Sequence, residues 1–478
     1  MNEIEEHTLG QPQASTNNDQ DNNASQDPKR NKLLVLVGSC ILQLPIWGFA
    51  MSYGIFQEYY TTTTKNKSQF TGNPSTTGVI GTTANGTMYL SMPFLFAFFT
   101  RRWAHRRQVA ALAGTVIACA SFLLSSYSSH IWHLLLTQGV TSALGCALIY
   151  SPTTLSLGEW FSDSTAIAYG IVLSTKNIVG TSCPFLIRHL LNNYGFETTL
   201  QIWSGIVGAT SILSIFLIST HPSRLSLARA TSESNSLRQR RNRTIPWSFL
   251  HHPTIYLYAT AIIFQSSGYG IPQTYLSTYA RDIAHLPQAS GTMLLALFNA
   301  PGIIASSFFA WLSDNSRVRL KPQTTSSIPP VVCAVVTFLF WGLTSSSPSQ
   351  SQSQPSNGGS TALLVLYSLT FGFFSGGYSG TWGGMLAHLE TEAAEHNEPI
   401  DSGMVYGLLN GVRGVGYAGG GVAGVKLFTL GSVYGIGSSY GPLIVFTGIA
   451  SLLGGGVVLY RRRDSSRFWR RLVVWGFR

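Results

Sequence analysis

The sequence predicts an all-α membrane protein in which twelve transmembrane helices form two six-helix repeats. Only 10% of the 478 residues are charged and 45% are hydrophobic, whereas roughly a quarter of an average soluble domain is charged. Twelve apolar stretches have about the length of roughly 20 residues that a helix needs to cross a bilayer. Short motifs of the first half recur six spans later in the second half, as internal repeats do.

Five segments follow from this pattern. Polar residues without an apolar core begin the chain and predict a disordered cytoplasmic tail, not a cleaved signal peptide. The predicted segments are the tail 1–32, an N-terminal six-helix half 33–219, a basic cytoplasmic linker 220–253, a C-terminal six-helix half 254–460 and a basic cytoplasmic tail 461–478. The predicted spans are 33–57, 77–99, 108–127, 131–157, 165–187, 199–219, 254–279, 290–313, 327–346, 361–387, 403–428 and 439–460.

The distribution of Lys and Arg predicts the orientation. Basic clusters occur between spans 2 and 3, in the linker, after span 8 and in both tails. The predicted loops on the opposite side carry only four basic residues: Lys65, Lys67, Arg188 and Arg281. Because positive charge resists translocation, both termini are predicted to be cytoplasmic. The acidic loop 388–401 has no Lys or Arg, but acidic residues contribute little to orientation.

Several classes of function are excluded. The net charge of +11 is divided among loops and tails, so no nucleic-acid-binding face is expected. Five cysteines lie inside apolar runs without the spacing of metal ligands, and neither a metal site nor a cofactor is predicted. No motif has catalytic spacing, so the protein is not predicted to be an enzyme. A multi-pass monomer is expected, in the plasma membrane in preference to the vacuolar membrane.

Three pairs of motifs define the repeat. YGIFQEY and YGIPQTY share five of seven positions, and two longer motifs begin with Tyr-Gly and place a basic residue seven positions later. The pairs are YGIFQEY (53–59) with YGIPQTY (269–275), YSPT (150–153) with YSGT (378–381), and YGIVLSTK (169–176) with YGLLNGVR (406–413). Each pair is six spans apart. Parallel repeats of this kind are the plan of one large class of transporters.

Lys176 and Arg413 end the third pair of motifs and are the only charges deep inside an apolar span. A cation at bilayer depth costs several kcal/mol unless it faces a cavity or a partner. Glu58 and Glu159 lie at predicted span ends, so no carboxylate is expected near the two cations. The pair either coordinates an anion across a central cavity or donates to helix carbonyls and stabilises the fold.

Five stretches carry a resemblance to a known family. They are WGFAMSYGIFQEYY (47–60), EWFSDSTAIAYGI (159–171), NNYGFETTL (192–200), GGYSGTWGGM (376–385) and VYGLLNGVRGVG (405–416). In these stretches the chain resembles the fungal monocarboxylate-transporter-like branch of the major facilitator superfamily. The resemblance implies the major facilitator fold and alternating-access transport of a small organic molecule, such as a monocarboxylate or a secondary metabolite. A non-transporting nutrient sensor on the same fold is the alternative.

One difference from that branch bears on whether transport is coupled to protons. Characterised monocarboxylate carriers place an acidic and a basic residue in span 8, whereas residues 290–313 carry no charge here. Proton symport usually relies on a titratable group inside the membrane. We therefore expect facilitated diffusion or anion exchange. The expected partners are a small-molecule substrate and the lipid bilayer.

Candidate site residues come from the motifs and from polar or aromatic positions at depth. For substrate binding they are Lys176, Arg413, Gln57, Gln273, Tyr150, Tyr378, Trp382, Asn299 and Asn410. For gating, the loop motif of the superfamily implies Asp314, Arg317, Arg101 and Arg106. The alternatives are helix packing for the first set and positive-inside anchoring for the second. Gly403, Gly407 and Gly411 are spaced by four and predict a close helix contact.

Overall fold

The computed structural model describes residues 31–66, 70–100, 103, 106–161, 165–218, 248–314, 320–345, 357–434 and 439–460. Within these ranges a helix lies at each of the twelve predicted spans, and the only β-type pairing is a bridge between Thr71 and His130. Nearly all of the predicted N-terminal tail, most of the linker and the C-terminal tail lie outside the described residues. The predicted division into segments therefore stays a prediction.

The first half contains helices α1 to α6. Helix α1 covers residues 31–66 and includes Gln43–Met51 and Tyr53–Asn66; α2 is Gly78–Thr100, α3 is Arg107–Ser126 and α4 is Ile131–Trp160. One helical run, Thr165–Leu217, then supplies both α5 (165–194) and α6 (196–217). The two are separated at Gly195, whose φ of 75° and ψ of −179° suit glycine and almost no other residue.

The second half contains helices α7 to α12. Helix α7 is Pro253–Asp282; α8 combines Gln288–Asn299 and Gly302–Asp314; α9 runs from Pro322–Val336 to Gly342–Ser345; α10 combines Asn357–Gly377, Tyr378–Thr381 and Trp382–Glu395; α11 is Ser402–Tyr434; and α12 is Gly441–Tyr460. Because α10 continues to Glu395, most of the segment predicted as the loop 388–401 is helical. Ala and Glu are good helix formers, so the composition of this segment favours the extension.

Eight of the described helices are long and apolar enough to cross a membrane, and one of them, Ile167–Leu217, covers both α5 and α6. Helices α2, α7 and α11 are not among the eight. All three are rich in Gly, Thr, Ser or Tyr, and α11 packs against both α2 and α7. A helix that contacts other helices on much of its surface needs fewer apolar side chains than one surrounded by lipid.

The two halves meet along α2 with α11 and along α5 with α8. Glycines of α11 permit the first contact. A Cβ at Gly414 would collide with the backbone nitrogen of Leu90 and lie 2.7 Å from the Gly86 oxygen, and one at Gly411 would overlap Pro93. The predicted close contact is thus confirmed at Gly411.

The other two predicted glycines differ from each other. A Cβ at Gly407 would lie 3.1 Å from Cβ of Phe96 on α2, so this residue belongs to the close contact as well. At Gly403 the nearest atoms are Asp401 Oδ1 at 3.3 Å and Leu155 Cδ2 at 3.8 Å. Gly403 therefore lies outside the α2–α11 contact, because α11 has only just begun there and the Asp401 carboxylate accepts a hydrogen bond from its first turn.

Two ends of the bundle are distinguished below. The near end is where α1 begins and α12 ends, and the far end is the opposite one. At the far end α1 and α7 are in contact, since a Cβ at Gly54 would lie 2.9 Å from the backbone oxygen of Gln273. If both termini are cytoplasmic, the far end faces outward.

The orientation makes a glycosylation prediction. The sequon Asn66-Lys67-Ser68 follows the far end of α1, whereas Asn242-Arg243-Thr244 belongs to the predicted linker. Expression in a glycosylating host should therefore yield glycan on Asn66 and none on Asn242, as measured by mass spectrometry with and without glycosidase treatment. An Asn66→Gln variant is the control. Glycan confined to Asn242 would show that the orientation is the opposite of the predicted one.

Candidate substrate site

A cavity lies between the two halves, towards the near end. It is lined by α1, α2, α4 and α5 of the first half and by α10 and α11 of the second. Its lining residues are Ser39, Gln43, Trp47, Tyr89, Tyr150, Thr153, Thr154, Leu157, Tyr169, Val172, Leu173, Lys176, Ser379, Trp382, Tyr406, Asn410 and Arg413. Five of the predicted binding residues are among them: Lys176, Arg413, Tyr150, Trp382 and Asn410.

Lys176 enters the cavity from the middle of α5. Its Nζ lies 3.9 Å from the centre of the Trp47 ring and donates a 3.4 Å hydrogen bond to the hydroxyl of Tyr89. A cation over an aromatic face is stabilised by about 0.5–2 kcal/mol. The aromatic ring and the hydroxyl therefore stabilise the ammonium group without neutralising its charge.

Arg413 enters from the opposite half on α11 and is only 5% exposed. Its Nη1 donates a 2.7 Å hydrogen bond to Ser379 Oγ, and its guanidinium carbon lies 5.0 Å from the centre of the Tyr89 ring. The rings of Trp382 and Tyr417 lie 5.5 and 5.8 Å away. Its buried Nε has no hydrogen-bond partner among the described residues.

Neither cation has a carboxylate partner in the part of the chain that the structure describes. The two carboxylates that the sequence places at span ends are paired elsewhere, Glu58 with Arg188 and Glu159 with Arg107. Lys176 and Arg413 repel each other electrostatically. Their described hydrogen bonds go to side-chain hydroxyls and not to helix carbonyls, which favours a role in the cavity over a role in stabilising the helices.

The repeat explains why Lys176 and Arg413 line the same cavity. Tyr169 and Tyr406, which begin the two basic motifs, also line the cavity, and their ring centres are 5.8 Å apart across the halves. Each basic residue follows its tyrosine by seven positions, or about two helical turns. Equivalent positions of α5 and α11 thus place one tyrosine and one cation from each half around the same space.

Gln57 and Gln273 do not line this cavity. Gln57 Oε1 accepts a hydrogen bond from the Tyr53 hydroxyl at 3.4 Å, and Gln273 Nε2 donates to the backbone oxygen of Ala50 at 3.4 Å. Both amides are buried on the far-end side of the cavity, and the Gln273 amide lies in the contact between α1 and α7.

Asn299 and Tyr378 also lie outside the cavity lining. The Asn299 amide donates to the backbone oxygens of Gly180 at 3.2 Å and Leu295 at 2.9 Å, so it joins α8 to α5. Tyr378 is fully buried among apolar side chains of the second half. Its neighbour Ser379, which contacts Arg413, faces the cavity instead.

The predicted gating residues are only partly described. Arg101, Arg317 and the side chain of Asp314 lie outside the described residues. Arg106 is exposed, with its guanidinium carbon 4.4 Å from the centre of the Trp103 ring. The adjacent Arg107 is instead the buried, paired arginine, and its ion pair with Glu159 at 2.9 Å joins α3 to α4 within one half.

The predicted positions of two charged residues are wrong. The sequence predicts a loop at Arg188, but this residue lies within α5 and is 7% exposed. The sequence predicts a span end at Glu58, but α1 continues to Asn66 and Glu58 is only 2% exposed. The polar run after Glu58 suggested a loop, whereas its threonines hydrogen-bond to α1 carbonyls and extend the helix.

Sequence reasoning missed several aromatic and polar lining residues, above all Trp47 and Tyr89. One available signal is the spacing of Ser39, Gln43 and Trp47, which are four residues apart and therefore share a face of α1. Tyr89 gives no comparable signal, since only the packing of α2 between the halves brings it to both cations.

The chain is similar to known transport proteins over most of its length. A family model for the Major Facilitator Superfamily matches residues 35–421. An MFS-type transporter of Gibberella moniliformis is 24% identical over 85% of this chain and 86% of its own length. Monocarboxylate transporter 13 of Rattus norvegicus is 26% identical over 73% of this chain and 72% of its own length.

The human relative is matched over a shorter region. Monocarboxylate transporter 12 of Homo sapiens is 25% identical over 57% of this chain, which covers 54% of the length of that protein. All of these relatives bear transporter names, and none of the three is named as a sensor. With its all-helical fold, its repeated halves around a central cavity and a family match across most of its length, the chain belongs to the Major Facilitator Superfamily of membrane transport proteins.

Proposed function

We propose that this transporter carries a small organic anion, with Lys176 and Arg413 as its anion-binding pair. The observation that supports this most directly is the pairing itself. Two cations from equivalent positions of the two halves line one cavity and have no carboxylate partner among the described residues. A carboxylate or a similar group on the cargo would supply the missing counter-charge, because an unpaired buried charge is costly.

The rest of the lining suits an organic body attached to that anionic group. Tyr150, Tyr169, Trp382 and Tyr406 present aromatic surface, and Asn410 adds an amide. Mostly apolar walls with a few placed polar groups are the usual composition of a small-molecule site. A monocarboxylate or an acidic secondary metabolite fits this description.

Alternating access supplies the mechanism for moving the anion. The cavity contains residues of both halves, so a relative movement of the halves would change the side from which Lys176 and Arg413 are reached. The contact of α1 with α7 closes the far end in this conformation, and the cavity extends towards the near end. We place the protein in the plasma membrane with both termini in the cytoplasm.

Reconstituted vesicles test this function. Purified protein should accelerate the uptake of radiolabelled monocarboxylates and larger organic anions, while neutral analogues of the same size should enter at the rate of empty vesicles. Since the described cavity offers no carboxylate and no His, a protonophore should change the uptake rate little at constant substrate protonation, and preloading with the same anion should accelerate exchange.

Protein-free vesicles and vesicles with Lys176→Gln are the controls. Equal transport of neutral and anionic analogues would contradict the proposed role of the cationic pair. Collapse of anion accumulation by the protonophore would contradict the proposed exchange or facilitated diffusion while leaving anion selectivity intact.

A further inference from the structure

A histidine between two carboxylates lies at the near end of the second half, outside the predicted spans. His252 directly precedes α7, and its Nε2 lies 3.0 Å from Glu398 Oε2 while its Nδ1 lies 3.5 Å from Glu392 Oε1. Glu392 belongs to the extension of α10, and Glu398 belongs to the segment that follows it. The imidazole is buried, with only 10% of its side chain exposed. We define His252, Glu392 and Glu398 as the histidine clasp.

The geometry of the histidine clasp suits a charged imidazole. A neutral imidazole has one N–H and a lone pair on its other nitrogen, whereas the protonated ring donates from both nitrogens. With a carboxylate at each nitrogen, a neutral ring would turn its lone pair towards a negatively charged oxygen, which repels it. The position of Glu392 increases this cost, since its Oε2 is buried without a hydrogen-bond partner among the described residues.

Other titratable groups surround the histidine clasp. They are His251, Glu390, Glu395, His396 and Asp401. The ring centre of His396 lies 5.0 Å from that of His252, and its Nδ1 lies 2.8 Å from the backbone oxygen of Glu392. Glu390 and Asp401 accept hydrogen bonds from the first turn of α11, while His251 and Glu395 are exposed. The ring placed between the two carboxylates is that of His252.

The histidine clasp holds the end of the predicted linker against the second half. Phe249, three residues before His252, is 1% exposed in an apolar cluster that includes Leu389 of α10 and Val405 of α11. Leu250 packs against the same cluster. Residues 248–252 are thus attached to α10 and α11 by apolar packing and by the clasp. All of these contacts lie on one side of the contact between the halves, so they do not decide which end of the cavity is closed.

We propose that the histidine clasp is a pH-sensitive switch, which holds the linker to the second half at acid pH and releases it as the pH rises. An imidazole changes its charge between about pH 5 and 8. Two carboxylates favour the protonated ring in the folded protein, so the clasp stabilises this attachment fully at the acid end of that range and weakens as the proton leaves. If both termini are cytoplasmic, the switch responds to the pH of the cytoplasm. It does not depend on the identity of the cargo.

Thiol labelling at two pH values tests the switch without any substrate. In the full-length protein the five native cysteines are replaced by alanine, and Leu250 is replaced by cysteine as a reporter of the attached linker. At about pH 6, His252→Gln should accelerate alkylation of the reporter by a soluble maleimide about tenfold, which corresponds to about 1.4 kcal/mol. At about pH 8 the acceleration should be less than about twofold, because the parent ring is then neutral. Comparing variant and parent at the same pH cancels the ionisation of the thiol.

His189→Gln is the matched control, since His189 is exposed on α5 and its ring contacts Asn193 of the same helix. It should leave the labelling rate unchanged at both pH values. Glu398→Gln removes one carboxylate with little change in size, and it replaces His252→Gln as the test if size-exclusion chromatography shows that the histidine variant is not folded. An acceleration that is larger at acid pH supports the switch. An acceleration no larger at acid pH, or the same effect in His189→Gln, would overturn it.

Discussion

Replacing Arg413 by glutamine is expected to weaken binding of the anionic cargo by about 10- to 100-fold, with the fold intact. The variant keeps a hydrogen-bonding side chain near Ser379 but loses the positive charge, and a hydrogen bond to a charged group contributes about 1.5–3 kcal/mol. Lys176→Gln should weaken binding for the same reason. Equilibrium binding of a labelled anion to purified protein measures both effects.

The double variant separates a shared ligand from two independent effects. If both cations hold one anion, the double substitution should cost less than the sum of the two single losses, because neighbours that share a partner are not additive. Lys426→Gln on the exposed surface of α11 is the matched control and should bind normally. A folded Arg413→Gln protein with unchanged anion affinity would refute the anion pair.

Gly414→Val is expected to destabilise the protein by an amount at or above the upper end of the range of about 1–3 kcal/mol found when side-chain atoms are added to a filled interior. Any Cβ at this position collides with the backbone nitrogen of Leu90 and comes within 2.7 Å of the Gly86 oxygen, and backbone atoms of α2 cannot rotate away. The midpoint of thermal unfolding in detergent, followed by the loss of monodisperse protein, measures the effect.

Gly419→Ala on the same helix is the control for that substitution. A Cβ there meets no atom within 4 Å, and alanine favours a helix over glycine by about 1 kcal/mol. The control should therefore unfold at the same temperature or a higher one. Equal stability of Gly414→Val and Gly419→Ala would show that α2 and α11 are not in close contact.

Helix positions were largely predictable, because the bilayer requires long apolar runs and the chain supplies them in order. The errors occur where polar residues continue a helix. The threonines after Glu58 hydrogen-bond to the carbonyls of their own helix, and the Ala- and Glu-rich segment after α10 is a good helix former. Hydropathy alone reveals neither the threonine hydrogen bonds nor the helix propensity of Ala and Glu.

The residues of the candidate site that belong to the repeated motifs were predictable. Matching motifs identified Lys176 and Arg413, and a parallel repeat places equivalent residues at equal depth from opposite halves. The same reasoning also selects Gln57 and Gln273, which do not line the cavity. Depth does not specify the side to which a side chain points or whether helices touch at that height. The Gln273 amide lies in the α1–α7 contact, and the Gln57 amide accepts a hydrogen bond from Tyr53 within α1.

By itself, the sequence determined the helical class, the two repeats and the pair of cations at depth, since each depends on local composition or on motif spacing. Only the tertiary structure decided what surrounds those cations. Tyr89 and Trp47 stabilise them because α1 and α2 pack beside α5 and α11. It likewise decided that Arg188 and Arg281 join the halves, because contacts between residues more than 100 positions apart depend on how helices pack and leave no periodic signal along the chain.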